Sequence, residues 1–464
     1  MEDIVIIGGQ AGGMTLAMRI LKNNPNANIT IIEEQDFISF GACGLPYYIG
    51  DFFTNPNNMF ARKKQDVISH NFNILDKHSA YEIDSEKQIV KIKNLTTDSI
   101  IEKSYDKLII ATGSSAKQLP KNIDSSKRSY ILKNLNDAEK IKAEINNLIN
   151  NSNQNNSKKV AIIGAGYIGL ELLEALIPFD LDITIFDSKN KLTDNLLDGD
   201  FEEILHEELL SHQINMKLNT KIISIIDENN QVKIQYQDSN NNNNVENFNF
   251  IITALGFSPN TKFLENLNLN MLNNGAIITD NNGATNIKNI YALGDCASIH
   301  HKILQKNTYI PLATIANKQA RKIADSMYGI NNTFSGTIGS SCLKILDLEI
   351  AKTGICEFEA KKENIECISL FMKDYNHTDY YPNQLPLFVK LIFLPQDGTI
   401  LGGQIVGKDG AMLRIHALTT AIESKLTIYQ LANLDFAYAP PFNRTWDILN
   451  LAGELAIKKM HKKS

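Results

Sequence analysis

The segment Ser39-Phe40-Gly41-Ala42-Cys43-Gly44-Leu45-Pro46-Tyr47-Tyr48-Ile49-Gly50 holds one cysteine a short distance beyond a glycine-rich turn. A thiol reacts as its thiolate, and a helix N-terminus or another positive potential favours that form. Gly44, Pro46 and the apolar run behind them read as such a helix start, which would make Cys43 a redox thiol. The competing reading is a buried, inert cysteine, the ordinary fate of this residue type. Cys296, Cys342, Cys356 and Cys367 bring the total to five, an odd number with no Cys-x-x-Cys pair and no spacing that asks for a role. That pattern argues against a disulfide framework and fits a reducing cytosol. Nine histidines are scattered without a ligand motif, so no metal site is expected.

Two stretches could position a nucleotide beside Cys43. Ile4 to Ile7 is an apolar run ending in Gly8-Gly9-Gln10-Ala11-Gly12-Gly13, with a helical pattern behind it through Leu21. A second run, Ile29 to Ile32, ends at Glu33, 20 residues beyond Gly13. Strand, glycine turn, helix, strand and acid is the layout that sets a pyrophosphate on a helix N-terminus and a carboxylate on a ribose hydroxyl. Gln10 departs from it, standing where the usual second glycine would lie. The second copy is complete: Val160 to Ile163, then Gly164-Ala165-Gly166-Tyr167-Ile168-Gly169, a helix, and Ile183 to Phe186 ending at Asp187. An acid at that strand end accepts from a 2′-hydroxyl and repels a 2′-phosphate, favouring NADH, while Lys189 and Lys191 leave NADPH open.

Lys107 to Gly113 is a buried strand ending in a turn, and Phe250 to Gly256 repeats it after the second copy, which suggests one domain interrupted by another. Tyr291-Ala292-Leu293-Gly294-Asp295 then closes the first domain. From about Phe334 alternating strands appear (Ser341 to Leu346, Leu387 to Phe393, Ile400 to Val406), followed by helices from Ala411, as in a separate α+β domain. The expected fold class is α/β, with two Rossmann-like dinucleotide-binding domains, one nested in the other, and a C-terminal α+β domain. The boundaries are 1–118 with 249–328 for the first, 119–248 for the nested unit and 329–464 for the last. Asparagine runs at Asn146 to Asn156 and Asn240 to Asn244 read as solvated loops.

With 43% hydrophobic and 21% charged residues in 464, the chain has the composition of an ordinary globular protein. A net charge of -6 argues against a nucleic-acid partner. Glu2 and Asp3 ahead of the first strand lack the basic start of a signal peptide, so export is not expected. Val160 to Ile177 is apolar but carries Glu171, Glu174 and three glycines, so it reads as strand, turn and helix rather than a membrane span. The expected location is the cytoplasm.

Two dinucleotide units around a nested insertion, a cysteine after the first, an Ala-Thr-Gly strand end and a Gly-Asp strand end together resemble the pyridine-nucleotide-disulfide oxidoreductases across essentially the whole chain. Common members carry a Cys-x4-Cys dithiol, but here the residue five beyond Cys43 is Tyr48. The lone cysteine points to the subgroup of coenzyme A-disulfide reductases, NADH oxidases and NADH peroxidases. Oxidases and peroxidases typically have histidine in the first glycine turn, where this chain has Gln10. His377-Thr378-Asp379-Tyr380-Tyr381-Pro382 is similar to a tyrosine-bearing loop of the reductases, and Ala437-Tyr438-Ala439-Pro440-Pro441-Phe442 resembles their C-terminal signature.

The resemblance implies FAD on the first unit, held by Gly8, Gln10, Ala11, Gly12, Gly13, Glu33, Ser39, Gly113, Gly294 and Asp295. It implies NADH or NADPH on the second, held by Gly164, Gly166, Tyr167, Ile168, Gly169, Asp187 and Gly256. Electrons would pass to Cys43, carried in mixed disulfide with coenzyme A, with Tyr380, Tyr381 and Tyr438 as phenol donors. Thr15, Arg19, Lys22, Ser39, Ala42, Asn71, Asn317, Arg444 and Trp446 would face the coenzyme A disulfide or another small disulfide. Ala42 departs from the asparagine usual before the cysteine, and Trp446 from a common lysine, with Arg444 as the nearby cation. A homodimer is implied, in which Tyr380 and Tyr438 act on the other subunit's Cys43. The rivals are an NADH oxidase or peroxidase cycling Cys43 through a sulfenate, and a non-catalytic redox-sensing flavoprotein.

Overall fold

The computed structural model of the chain describes residues 2–67, 72–151, 158–193 and 196–463. Two five-stranded parallel sheets follow one plan. The first runs in the order Ile290–Ala292, Lys107–Ile110, Asp3–Ile7, Asn28–Glu33, Phe72–Asp76. The second runs Asn215–Lys217, Asp182–Phe186, Lys159–Ile163, Phe250–Thr253, Ser129–Ile131. Successive side chains of a strand point to opposite faces. Ile4 and Ile6 therefore pack on the helix Ala11–Asn23, while Val5 and Ile7 pack on an antiparallel sheet formed by His78–Asp84, Ile89–Asn94 and Ile100–Ser104. Val160 and Ile162 likewise meet the helix Tyr167–Leu176, and Ala161 and Ile163 meet the sheet Lys221–Glu228, Gln231–Gln237, Asn243–Phe248. Strands covered on both faces read as unbroken apolar runs, which is why both were visible in the sequence.

Two expectations need correction. Phe250–Thr253 pairs with Lys159–Ile163 and Ser129–Ile131, so the return to the first unit expected at 249 falls inside the second sheet. The chain crosses between units at a two-stranded antiparallel hinge, Ser114–Ala116 with Phe257–Pro259. The asparagine runs are only partly loop: the helix Leu135–Asn151 extends into the first, whose remainder lies outside the described residues, and the strand Asn243–Phe248 begins in the second. Helix packing and strand pairing outweigh the weak local preference of asparagine here.

The C-terminal unit is a five-stranded antiparallel sheet, Ser341–Ile345, Leu348–Gly354, Ile400–Gly407, Pro386–Phe393, Ile368–Tyr375, with the helices Ala411–Glu423 and Ile448–Lys463 sharing its core. Leu348–Gly354 and Ile368–Tyr375 were not anticipated. This unit is fixed to the second one through Asp198, which accepts from Glu357 N at 3.0 Å, Phe358 N at 3.1 Å and Gln404 Nε2 at 2.6 Å. The buried Lys390 ammonium sits among Asp198, Asp200 and Glu357. Removing Lys390 would leave the buried Asp198 carboxylate without its cation, which costs several kcal/mol (~3–5).

Candidate active site

The two glycine turns share their first glycine, their last glycine and the acid that folds back onto them. Gly8 has φ +109° and Gly164 φ +112°, and a Cβ on either would stand 2.2 Å from Ala111 O or 2.4 Å from Ala254 O. Only glycine permits both that conformation and that approach. Glu33 accepts from Gly9 N at 2.7 Å, and Asp187 from Ala165 N at 2.7 Å. Each acid thus folds back onto its own turn with its second oxygen held by a following amide, Gln35 N at 2.9 Å or Lys189 N at 2.8 Å. Burial pushes the Glu33 carboxyl up, against the lowering effect of these amides.

Neither helix is capped by a side chain at its start: Gln10 and Gly166 make no cap hydrogen bond, so the first-turn amides, from Ala11, Gly12 and Gly13 in the first unit, lack a side-chain acceptor. A Cβ on Gly113, Gly166 or Gly256 would meet nothing within 4 Å, leaving open space beside each turn. Gly12 packs on Leu293, and Gly13 and Gly169 lie against the carbonyls of Gly8 and Gly164. Ile168 packs into the core, and Tyr167 donates to Ser341 Oγ at 2.7 Å. Ser39 Oγ is buried without a protein partner among the described residues, in a backbone held at φ +54°. Asp295, after the positive-φ Gly294, accepts from Ser114 Oγ at 3.1 Å. Uncapped amides, open turns and an orphan hydroxyl fit an extended dinucleotide lying across the first unit.

Cys43 lies in a short 3-10 turn, Ala42–Gly44, directly before the helix Leu45–Ile49. It is exposed, as is Ala42. The expected positive potential is not what it meets: desolvation pushes its thiol up, Glu171 and Asp295 add to this, and Lys133 opposes it. The cysteine precedes a helix of only five residues, whose dipole is small, and the acids arrive from distant segments. Tyr48, where a second thiol would stand, is buried against Phe53. Gln10, expected among nucleotide-binding residues, turns its side chain to the cysteine segment, donating to Phe37 O at 3.2 Å and accepting from Phe40 N at 3.0 Å.

Sequence reasoning missed three groups around the thiol. Glu171 is raised to about 7 by desolvation and then by Glu174. Lys133 donates to Ser114 Oγ at 3.2 Å and stands 4.4 Å from the Phe257 ring, with its pKa lowered by burial. Cys342, left as structural, also has its thiol raised, by burial and then Glu171. The position of Glu171 one turn beyond Tyr167 was readable as one helix face, but not its nearness to two thiols.

The residues expected to face substrate fall into two groups. Thr15 donates to Asn317 Oδ1 at 2.6 Å, and Arg19 pairs with Asp325 through Nε at 2.6 Å and Nη2 at 3.0 Å, tying the first helix to Ala313–Ser326. Lys22 is exposed on the same helix, and Asn71 lies outside the described residues. In the C-terminal unit Tyr380 and Tyr438 share a hydroxyl hydrogen bond, Tyr381 stands edge-on to His377 at 5.3 Å, Arg444 pairs with Asp374, and Trp446 is exposed. Glu208, His212 and Asp347 present three ligand-type atoms within 4.8 Å of one another, but the Lys408 ammonium stands 3.1 Å from both carboxylates.

Two nucleotide-type turns, the first of them hydrogen-bonded to the segment of an exposed thiol, fit a nucleotide-dependent thiol oxidoreductase. The family comparisons agree: residues 2–320 match the pyridine nucleotide-disulphide oxidoreductase family, and 340–448 its dimerisation domain. The chain belongs to this family and is an NAD(P)H-dependent flavoprotein oxidoreductase. It is 32% identical over 463 residues to a coenzyme A disulfide reductase of Staphylococcus aureus (strain Newman), covering 98% of this chain and 99% of that one. The water-forming NADH oxidase from Lactobacillus brevis, solved bound to NADH, superposes with a TM-score of 0.92 at 28% identity over 100% of both chains. A NAD-dependent persulfide reductase from A. fulgidus gives 0.91 at 30% identity, covering 99% of this chain and 84% of that one. No helix among the described residues is long and apolar enough to cross a membrane.

Proposed function

We propose that the protein reduces coenzyme A disulfide, or a similar small disulfide, with electrons from NAD(P)H passed to Cys43. The observation that carries this is the exposed Cys43 thiol, whose segment is tied to the first nucleotide turn, with Tyr48 buried where a resolving thiol would stand. FAD and the nicotinamide supply the hydride and electron transfer that no side chain can. Gly8, Gly12, Gly13, Glu33, Ser39, Gly113 and Asp295 would hold the first, and Gly164, Gly166, Gly169, Asp187 and Gly256 the second. Similarity to the Staphylococcus aureus reductase supports coenzyme A as the thiol.

In this reading the Cys43 thiolate attacks one sulfur of the disulfide, the S–S bond breaks, and one thiol leaves with a proton. The other half stays on Cys43 as a mixed disulfide. Two electrons and a proton then return the thiolate and release the second thiol. Tyr380, Tyr381 and Tyr438 would donate to the departing sulfur. Exposed Phe442 and Trp446, in the same segment as Tyr438, support a dimer whose interface brings those phenols to the partner's thiol. Arg19 already spends Nε and Nη2 on Asp325, so Lys22, exposed on the same helix, is the freer cation.

The similarity to the Lactobacillus brevis oxidase favours a second reading, oxygen reduction through a Cys43 sulfenate. NADH consumption measured without oxygen but with coenzyme A disulfide, and with oxygen but without disulfide, separates the two. The proposal expects the first to be the faster and Cys43→Ser to abolish it. Oxygen-driven turnover well above the disulfide rate would overturn it.

A further inference from the structure

Gln10 occupies the N-cap position of the first helix yet makes no cap hydrogen bond. Its amide instead reaches over to the segment leading into Cys43, donating to Phe37 O at 3.2 Å and accepting from Phe40 N at 3.0 Å. Among the described residues these are the only side-chain hydrogen bonds between residues 8–13 and 37–44. Backbone bonds finish the attachment: Ser39 N donates to Gly9 O at 3.0 Å, Gly41 N to Met59 O at 2.7 Å and Ala61 N to Ser39 O at 3.0 Å. Phe37, Phe40 and Phe60 pack together with centroids 5.2 to 5.4 Å apart beneath the segment.

We infer that Gln10 is a positioning residue that clamps the Cys43 segment onto the first nucleotide turn and thereby sets the rate of thiol chemistry at Cys43. The inference rests on the thiol-based reading above. A primary amide carries a donor and an acceptor on two different atoms, and the two bonds use both. Glutamate would keep the acceptor for Phe40 N and lose the donor to Phe37 O. Alanine would lose both, leaving Phe40 N without its side-chain acceptor three residues before the thiol. Displacement of a reacting group by about 1 Å can cost on the order of 100-fold in rate, so loss of the clamp should be felt at the sulfur. The Gln10 amide also faces Glu33, so flavin retention must be followed separately.

The test uses the purified holoenzyme as wild type, Gln10→Ala and Gln10→Glu. Four quantities are read: NADH oxidation with coenzyme A disulfide, NADH oxidation with ferricyanide (which takes electrons without Cys43), flavin per chain, and the rate of Cys43 alkylation by iodoacetamide. Gln10→Ala should slow disulfide reduction by about tenfold or more and alter the alkylation rate, with flavin content kept and the ferricyanide rate changed far less. Gln10→Glu should fall between it and wild type. Equal losses with both acceptors, or no loss with either, would overturn the inference. If the wild type itself fails to reduce the disulfide, the proposed function has failed, and the alkylation rate alone decides the clamp: altered in Gln10→Ala supports it, unchanged overturns it.

Discussion

The hydroxyls of Tyr380 and Tyr438, 58 residues apart in the chain, meet at 2.7 Å. The pair joins the loop after Ile368–Tyr375 to the segment ahead of the last helix and leaves both rings exposed. The hydrogen bond to Tyr438 is the first reason that the Tyr380 phenol is raised. The Tyr380 phenol therefore stays protonated across the neutral range and can donate. Tyr438→Phe should lower kcat for disulfide reduction by roughly tenfold or more, at the lower edge of what a positioned acid contributes. The ferricyanide rate should stay unchanged. An unaltered kcat–pH profile in this variant would remove the pair from the chemistry.

Asp187 accepts from Ala165 N at 2.7 Å and Lys189 N at 2.8 Å, which fixes its side chain at the end of Asp182–Phe186. Such an acid repels a 2′-phosphate. Asp187→Ala should lower the ratio of kcat/KM for NADH over NADPH by about tenfold, or ~1.4 kcal/mol of preference. Steady-state kinetics with the two nucleotides checks it.

Asp325 is buried and accepts from Arg19 Nε and Nη2, Asn23 Nδ2 at 3.0 Å and Asn332 Nδ2 at 2.8 Å. Burial would raise its carboxyl, but these donors outweigh it and hold the pKa at about 2. A folded pKa below the unfolded one stabilises above the unfolded value, and the contribution is lost as pH falls through about 2. It amounts to roughly 2 kcal/mol at neutral pH. Asp325→Asn should lower the urea midpoint at pH 7 and flatten its acid limb, and an unchanged limb would contradict this.

How much was legible in the sequence follows from which interactions are local. Gly8, Gly13 and Glu33, and their counterparts Gly164, Gly169 and Asp187, sit within single strand-turn-helix-strand units, so their spacing alone revealed them. The pairing of Phe250–Thr253 with Ser129–Ile131 joins segments more than a hundred residues apart, and no local pattern encodes which sheet such an apolar run enters. Arg19 read as a phosphate-facing cation because its carboxylate partner lies 306 residues on. The environment of Cys43 was misjudged for the same reason, since the helix start behind it was visible and the acids around it were not.

Glu171, raised to about 7 by desolvation and Glu174, titrates in the working pH range. Its charge bears on both Cys43 and Cys342. Below pH 7 it is neutral and the thiol at Cys43 ionises more readily; above pH 7 its carboxylate holds that thiol up. Glu171→Gln should therefore speed alkylation of Cys43 above pH 7 and leave the rate near wild type at pH 5. Stability follows with the sign fixed by the same shift. A carboxyl whose folded pKa is raised stabilises fully below its unfolded value of 4.5, and that contribution is lost as pH rises through about 7. The glutamine variant should thus match wild type in urea at pH 4 and exceed it at pH 8. Equal alkylation rates and equal midpoints at pH 8 would show that Glu171 does not couple to the thiol.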